Sequence, residues 1–557
     1  MRTSRELPLS TVEEADRYRR SGAWPDETVY ERFEHIARQF GAKAAVVESK
    51  RTLSYAEMLD RVQACSRGLL DAGIRAGHVV TVQLPNSADQ AVAHLALNRI
   101  GALAMPVHES WIEAELPYLL NTSQAVAAIV PSRYRNIDYP QLYVRLKPQL
   151  SALRQVFALG EVNPCAESFD VLLERGSEDA VRELGPIDPD APGCLMLSSG
   201  TTSMPKISVF SSNGLFALLQ PFWRRLKITS DDVAAALAPA GTGAIGYVYP
   251  LLSPLLHGAT SVVLEHWGDP VEAVDLIVRH RCTYATGVPA QLMQMLTAIA
   301  SRPASDFAAF RCFTNAGAPL SPDVGRDVEE KMGCRIFVIY GATDGGVACC
   351  SLLDDPQDHR LNSVGWPQDE CEIRLINEFG EPLPPGPEQT GEIQWRCADK
   401  SYGYLNDPEA TAMAFTPDRF YRTGDLGTFD REGRLRIVGR VKDMIIRGGR
   451  NISPRLIEEM AQRHPQIAEV AVAAYPDKVL GERACAFVVQ RPGANLTLPA
   501  LLDFLRAQQM PTWQMPERLE LLDVLPKSAG GKVMKNKLRE YVAARLKAEE
   551  TAQPLQA

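Results

Sequence analysis

The chain lacks several common signatures. Its eleven cysteines are scattered with no C-x-x-C pair, and its nine histidines show no metal-ligand spacing such as H-E-x-x-H. The thiols therefore read as free side chains of a reducing compartment, and the expected location is cytoplasmic. No excess of basic charge is present. A net charge of −9 argues against a general nucleic-acid or anionic-membrane binder. The first residues, Met1 to Glu6, carry charges of both signs with no apolar run behind them, so no secretory leader is read there. The chain has no internal repeat and no low-complexity tract, only a short polar tail after Ala548. From Val233 to Leu264 there is no charged residue. That length would suit a membrane span. Pro239, Gly241, Gly243, Gly246, Pro250, Pro254 and Gly258 interrupt it, so the stretch predicts buried strands, turns and a short helix inside a core.

What is present is ample for a large fold. At 557 residues the chain exceeds what one core supports, and its 45% hydrophobic content is that of an ordinary globular protein. Short apolar runs alternate with helical patterns. Ala44–Val47, Val79–Val82 and Ala102–Met105 read as strands. Ser54-Tyr55-Ala56-Glu57 is a capping box that opens a helix through Leu70. Asn86-Ser87 can cap a helix over Ala88–Ile100 that suits burial on more than one side. Further strands are expected at Thr260–Leu264, Cys282–Thr286 and Arg335–Ile339, with helices at Val271–His280 and Pro289–Ala300. This βαβ alternation predicts an α/β fold with largely parallel sheets. Around Glu372–Ile376 and Gly391–Trp395 the texture shifts to a small β-rich subdomain. After Gly439 it becomes a smaller α+β unit. The expected division is a large N-terminal domain, 1–438, and a mobile C-terminal domain, 439–557.

The most informative stretch is Ser198-Ser199-Gly200-Thr201-Thr202-Ser203-Met204-Pro205-Lys206, between the strands Cys194–Leu197 and Ile207–Phe210. Backbone N–H groups in such a turn form an anion nest, hydroxyls add donors, and Lys206 adds a point charge. These are the parts a polyphosphate needs, although the Walker A spacing G-x-x-x-x-G-K-[ST] is nowhere in the chain. Taken alone, the stretch is also compatible with a plain surface turn.

Four further stretches follow in order: Tyr340-Gly341-Ala342-Thr343-Asp344, Tyr421-Arg422-Thr423-Gly424-Asp425, Gly439-Arg440-Val441-Lys442-Asp443 and Pro526-Lys527-Ser528-Ala529-Gly530-Gly531-Lys532. Together with Ser198–Lys206 they resemble the motifs of the acyl-adenylate-forming superfamily. That family comprises acyl- and aryl-CoA ligases, stand-alone adenylation enzymes, peptide-synthetase adenylation domains and luciferases.

The resemblance implies a role for each residue. Ser198, Ser199, Gly200, Thr201, Thr202 and Lys206 would hold the phosphates of ATP. Ser203 and Ile207 stand where the family more often has glycine. Tyr340 would stack on adenine, beside Gly341, Ala342 and the turn Gly317-Ala318-Pro319. Thr343 would touch the α-phosphate. Asp344 would bind Mg²⁺ where the family usually has Glu, one methylene longer. Asp425, joined by Arg440, would accept from the ribose hydroxyls. Lys532 would be the mobile catalytic lysine, and Lys442 the hinge residue. Gly448, Gly449 and Arg450 would border the thiol tunnel of coenzyme A. Ala240, Gly241, Thr242, Gly246 and Gly341 would line the acyl pocket. The stretch Ala238–Gly246 holds no acid to pair with an α-ammonium, so a bulky apolar carboxylate is expected rather than an amino acid.

The expected activity is AMP-forming ligation of such a small-molecule acid to the thiol of CoA, using ATP and Mg²⁺. The alternative is a stand-alone adenylation enzyme that loads a phosphopantetheinyl carrier protein. A non-catalytic adenylate-binding protein and a luciferase-like oxygenase rank lower. No nucleic acid and no membrane span are expected. The oligomeric state stays open, with a dimer as one option.

Overall fold

The computed structural model describes residues 10–161, 164–198, 204–300, 302–384, 386–387, 389–527 and 533–552. The chain is a mixed α/β protein with a large N-terminal part and a smaller C-terminal part. Its contacts divide it into two compact units. Among the described residues, the first takes those up to 373 together with 395–421, and the second takes 374–394 and the chain from 422 onward.

Two sheets organise the first unit. One has nine strands. Its centre is parallel, with Arg335–Ala342, Cys312–Asn315, Tyr284–Gly287, Val233–Ala236 and Thr260–Val263 side by side in that order. The other has seven strands and contains Val79–Val82, Leu103–Pro106 and the antiparallel pair Pro192–Ser198 and Lys206–Ser211. Strands such as Val79–Val82, apolar but for Thr81, and Thr260–Val263, with its two hydroxyl residues, are buried along their whole length, as parallel strands covered on both faces must be.

The helices follow their caps. Ser54 accepts from the Glu57 N–H, and Glu57 accepts in return from the Ser54 N–H at 2.7 Å, which opens the helix Tyr55–Asp71. The same box at Thr11/Glu14 and at Thr28/Glu31 opens the helices Val12–Arg20 and Val29–Gln39. The helix Ala88–Arg99 is capped by Ser87, with Glu48 accepting from the Ala88 N–H at 2.6 Å, and every residue in it except Arg99 is buried. Asn86 does something else. Its side chain donates to the carbonyls of Ala238 (2.9 Å) and Leu264 (3.0 Å) and accepts from the Ala240 N–H (2.7 Å), fixing the start of the uncharged segment.

That uncharged segment folds into the strand Val233–Ala236, a 3₁₀ turn at Ala240–Thr242, a π-helix at Ala244–Leu252, a short helix at Ser253–Leu255 and the strand Thr260–Val263. Among the described residues no helix is long and apolar enough to cross a membrane.

The strands Cys371–Ile376, Gly391–Cys397, Tyr421–Phe429 and Leu435–Arg440 form a small four-stranded sheet. Further on, the second unit packs a sheet built on the long antiparallel pair Ile467–Asp477 and Gly481–Gln490. Side chains alternate across it. Val472 and Ala474 face the helices Pro454–Ala461 and Leu498–Ala507, while Ala471 and Ala473 face the final helix through Leu538 and Val542.

Candidate functional site

Three candidate segments are gathered by topology. Pro239–Gly246 and Gly317–Pro319 follow the C-terminal ends of strands in the parallel centre of the nine-stranded sheet, and Tyr340–Asp344 forms the end of a third strand and the turn after it. The crevice beyond such strand ends is where open α/β sheets bind ligands. Gly317 has φ +80°, and a Cβ there would lie 3.1 Å from Cδ1 of Ile245, so the first two segments touch.

The strand Arg335–Ala342 turns back on Gly346–Cys350 through Thr343-Asp344-Gly345. The turn needs its glycines. A Cβ on Gly345 would sit 2.3 Å from the Tyr421 ring, and one on Gly346, at φ +81°, would sit 2.4 Å from the Asp399 carboxylate. Trp395 Nε1 donates to the Gly345 carbonyl at 2.6 Å. The Trp395 ring meets Tyr340 edge-on at 5.3 Å and Tyr421 at 5.3 Å.

Asp344 is buried at the tip of this turn. Its carbonyl accepts from the Ser401 N–H (3.0 Å) and hydroxyl (2.7 Å). Its Oδ2 accepts from the hydroxyls of Tyr404 and of Tyr421, the latter at 3.2 Å. Oδ1 accepts no hydrogen bond from any described residue. Burial and the Asp344 charge push the Tyr404 phenol far above its ordinary range, so it stays a donor. The segment Tyr402–Leu405 pairs with the strand Lys206–Ser211, through Tyr402 N–H to the Val209 carbonyl (2.9 Å) and Leu405 N–H to the Ile207 carbonyl (2.8 Å). This pairing places the Tyr404 ring beneath the Lys206 ammonium, 4.5 Å from its centroid. Lys206 itself is set opposite Ser198 where the antiparallel strands Pro192–Ser198 and Lys206–Ser211 end and begin.

In the family models the chain matches the AMP-binding enzyme domain over residues 33–405 and the AMP-binding enzyme C-terminal domain over residues 456–532. The chain belongs to the acyl-adenylate-forming superfamily. Relatives of this AMP-binding enzyme extend over nearly its whole length. It is 31% identical to the medium-chain fatty-acid–CoA ligase of Escherichia coli, over 95% of this chain and 93% of that ligase. It is 30% identical to the 2,3-dihydroxybenzoate-AMP ligase of Bacillus subtilis, over 96% of this chain and 97% of that one. Among solved structures, ATP-bound MatB of Rhodopseudomonas palustris superposes with a TM-score of 0.80 at 26% identity, covering 91% of this chain and 98% of MatB. The protein is therefore an enzyme of the AMP-forming ligase family.

The remaining candidate residues of this AMP-binding enzyme fall as follows. Ser199, Gly200, Thr201, Thr202 and Lys532 lie outside the described residues. In the second unit, Asp425 and Arg440 are cross-strand partners, and Arg440 Nε donates to Asp425 Oδ1 at 2.6 Å. The Asp425 N–H donates to Thr423 Oγ1 at 2.8 Å, which fixes the turn. Lys442 sits in the single 3₁₀ turn Val441–Asp443, and its carbonyl accepts from Arg539 at 3.0 Å. Gly448 and Gly449, at φ +57° and +80°, make the two-residue turn between the strands Ile445–Arg447 and Arg450–Ile452. The Arg450 guanidinium lies over the Trp513 ring at 5.4 Å.

Among the residues expected to line an acyl pocket, Ala240 is buried, Thr242 hydrogen-bonds the Pro239 carbonyl, and the glycines serve close backbone approach. A Cβ on Gly241 would meet His108 at 2.3 Å, one on Gly246 the Pro239 carbonyl at 1.9 Å, and one on Gly341 the Gly346 carbonyl at 2.5 Å.

Tyr404, Ser401, Trp395 and the pair Gly345-Gly346 are absent from the sequence-based site. Each acts through a contact made across a long stretch of chain. Only Tyr421 stood inside a recognised motif.

Proposed function

We propose that the protein is an AMP-forming acid–thiol ligase acting on a bulky carboxylic acid with an apolar body. In the first step a carboxylate oxygen attacks the α-phosphorus of ATP. The bond to the bridging oxygen breaks, pyrophosphate leaves and acyl-AMP forms. In the second step a thiol sulfur attacks the acyl carbon, the bond to AMP breaks, and the thiol proton passes to solvent. The observation that carries this reading is the Asp344 carboxylate, aimed by Tyr404 and Tyr421 beside Lys206 in a chain that matches the AMP-binding enzymes.

Lys206 would neutralise charge on the departing pyrophosphate, where a fixed cation lowers the barrier. Thr343 would donate to the α-phosphate, Tyr340 would cover adenine, and Asp425 would hold the ribose diol. Lys532 would reach the reacting carboxylate and phosphate from the C-terminal domain. That domain, taken as 439–557, would alternate about Lys442 and present Gly448, Gly449 and Arg450 to the thiol.

The residues present fit Mg²⁺. The ion takes one or two carboxylates plus phosphate oxygens, and Asp344 keeps Oδ1 for it while two hydroxyls hold Oδ2. When bound it would supply positive charge to the phosphates.

Coenzyme A is the favoured thiol, as in the name of the E. coli relative. A carrier-protein arm is the second reading, favoured by a 30% identical relative from Mycobacterium tuberculosis named salicyl-AMP ligase / salicyl-S-ArCP synthetase. The test is a pyrophosphate-release screen over aryl, alicyclic, straight-chain and amino acids, followed by free CoA against holo-carrier protein. Release with apolar-bodied acids is expected. Robust release with a standard amino acid and none with these acids would overturn the substrate reading.

A further inference from the structure

The helix Ala88–Arg99 carries four buried polar side chains besides its cap, and they divide sharply. Asp89 is paired with Arg51 (2.6 Å) and Arg61 (2.7 Å). Asn98 accepts from the Tyr30 N–H at 2.9 Å. Gln90 and His94 have nothing. Both amide atoms of Gln90 and both ring nitrogens of His94 are sealed from solvent without a hydrogen-bond partner. The two residues are one turn apart on the same helix face. The ring of Tyr247 lies 5.2 Å from the His94 ring, and its hydroxyl is likewise buried and unpartnered. Native interiors pair nearly all such groups, so a cluster of them marks a place where something else completes the hydrogen bonds.

The place adjoins the acyl segment. Tyr247 belongs to the π-helix Ala244–Leu252, a rare form concentrated at functional sites. With Ala240, Gly243 and Val248 it lines a cavity of about 10 Å³, the space of a single water. Gly241 and Gly246 are closed by backbone, but a Cβ on Gly243 would meet nothing within 4 Å. Gly243 therefore borders free space, and Tyr247, on the wall of the cavity, has its ring against that of His94.

We propose that Gln90, His94 and Tyr247 form a polar end to the acid-binding pocket, and that the acid carries a hydroxyl at the end remote from its carboxyl group. This rests on the ligase reading above, with Ala240–Gly246 as the acid's wall. The group is neutral, because burial holds His94 uncharged, its pKa lowered to about 4, and an ion there would have no counter-charge among the three. A hydroxyl both donates and accepts. It therefore matches an imidazole in either tautomer, a phenol and an amide alike.

The test is pyrophosphate release by the full-length enzyme with matched acids: benzoates, cyclohexanecarboxylates and straight-chain acids, each with and without a remote hydroxyl. The expected result is a preference for the hydroxylated member of the best pair of about 100-fold or more in kcat/KM, since a site built to bond a hydroxyl rejects its absence strongly. His94→Leu and Tyr247→Phe should each narrow that preference while the KM for ATP stays unchanged, a split that general destabilisation would not give. Equal use of both members by the wild type would overturn the proposal and make the cluster a nest for resident water. No release with any acid would overturn the ligase reading and the proposal with it.

Discussion

The Lys206 ammonium rests over the Tyr404 ring, 4.5 Å from its centroid, and the hydroxyl of that same tyrosine holds the Asp344 carboxylate. One side chain thus positions two charges of opposite sign, one by its face and one by its edge. Tyr404→Phe keeps the face and removes the donor. It should lower adenylate formation on the order of 10- to 100-fold, as loss of a residue that orients a metal ligand does, and it should raise the Mg²⁺ concentration needed for half-maximal rate. Tyr404→Leu should cost more, because Lys206 also loses its platform. Pyrophosphate release against Mg²⁺ concentration reads both. A Phe variant with wild-type Mg²⁺ dependence would separate Tyr404 from the Asp344 role.

Lys206→Ala and Asp425→Ala should weaken ATP use in different ways. Lys206 would act on charge that develops as pyrophosphate departs, so its loss should fall mainly on kcat. Asp425 would hold the ribose alike in ground and transition states, so its loss should fall mainly on the KM for ATP. The Asp425 variant also removes the hydrogen bond that Arg440 Nε now donates at 2.6 Å. Steady-state kinetics in ATP decide, and the reverse pattern would exchange the two roles.

Lys532→Ala should nearly abolish acyl-AMP formation, on the order of 100- to 1000-fold. Given pre-made acyl-AMP and CoA, the same variant should form thioester at close to the wild-type rate. Lys442→Pro should do the opposite, sparing adenylation and impairing thioester formation, because proline fixes φ at the pivot. Single-turnover quench with separate readouts for adenylate and thioester checks this. Equal slowing of both half-reactions by Lys532→Ala would count against two alternating poses.

Asp399 gives a pH signature. It is fully buried beside Gly346 and accepts from the Val347 N–H at 2.8 Å, yet burial raises its pKa from 3.8 to about 7. The folded state therefore holds this proton in a range where the unfolded chain has released it. Its contribution favours folding at the acid end and is lost as pH rises from about 4 to about 7. Asp399→Asn keeps an acceptor for Val347 and removes the charge. The variant should melt higher than wild type at pH 8, with the gap closing as pH falls below 5. A gap independent of pH would mean that Asp399 is ionised throughout. Thermal melts of both proteins across that range give the answer.

The sequence by itself determined the local structure and the reaction class. Capping boxes at Thr11, Thr28 and Ser54 start helices because the hydroxyl and the glutamate three residues on satisfy one another within a single turn. The short runs Val79–Val82 and Thr260–Val263, rich in β-branched residues, read as strands, and both are buried strands. The hairpin ends Ser198 and Lys206 stand opposite each other because the loop between them is short. Motifs keep their residues consecutive, which is why Tyr340–Asp344 and Tyr421–Asp425 were legible as marks of the family.

Tertiary structure alone decided what those residues touch. Nothing near Asp344 in the chain foretells Tyr404, sixty residues on, since that contact is made by strand pairing of Tyr402–Leu405 with Lys206–Ser211. Gly345 and Gly346 look like ordinary turn glycines until Tyr421 and Asp399 are seen to occupy their missing side chains. Gln90 and His94 read as two polar residues in an otherwise apolar helix. Whether a polar group is paired or stranded depends on the neighbours that burial brings to it, and the linear sequence holds no record of them.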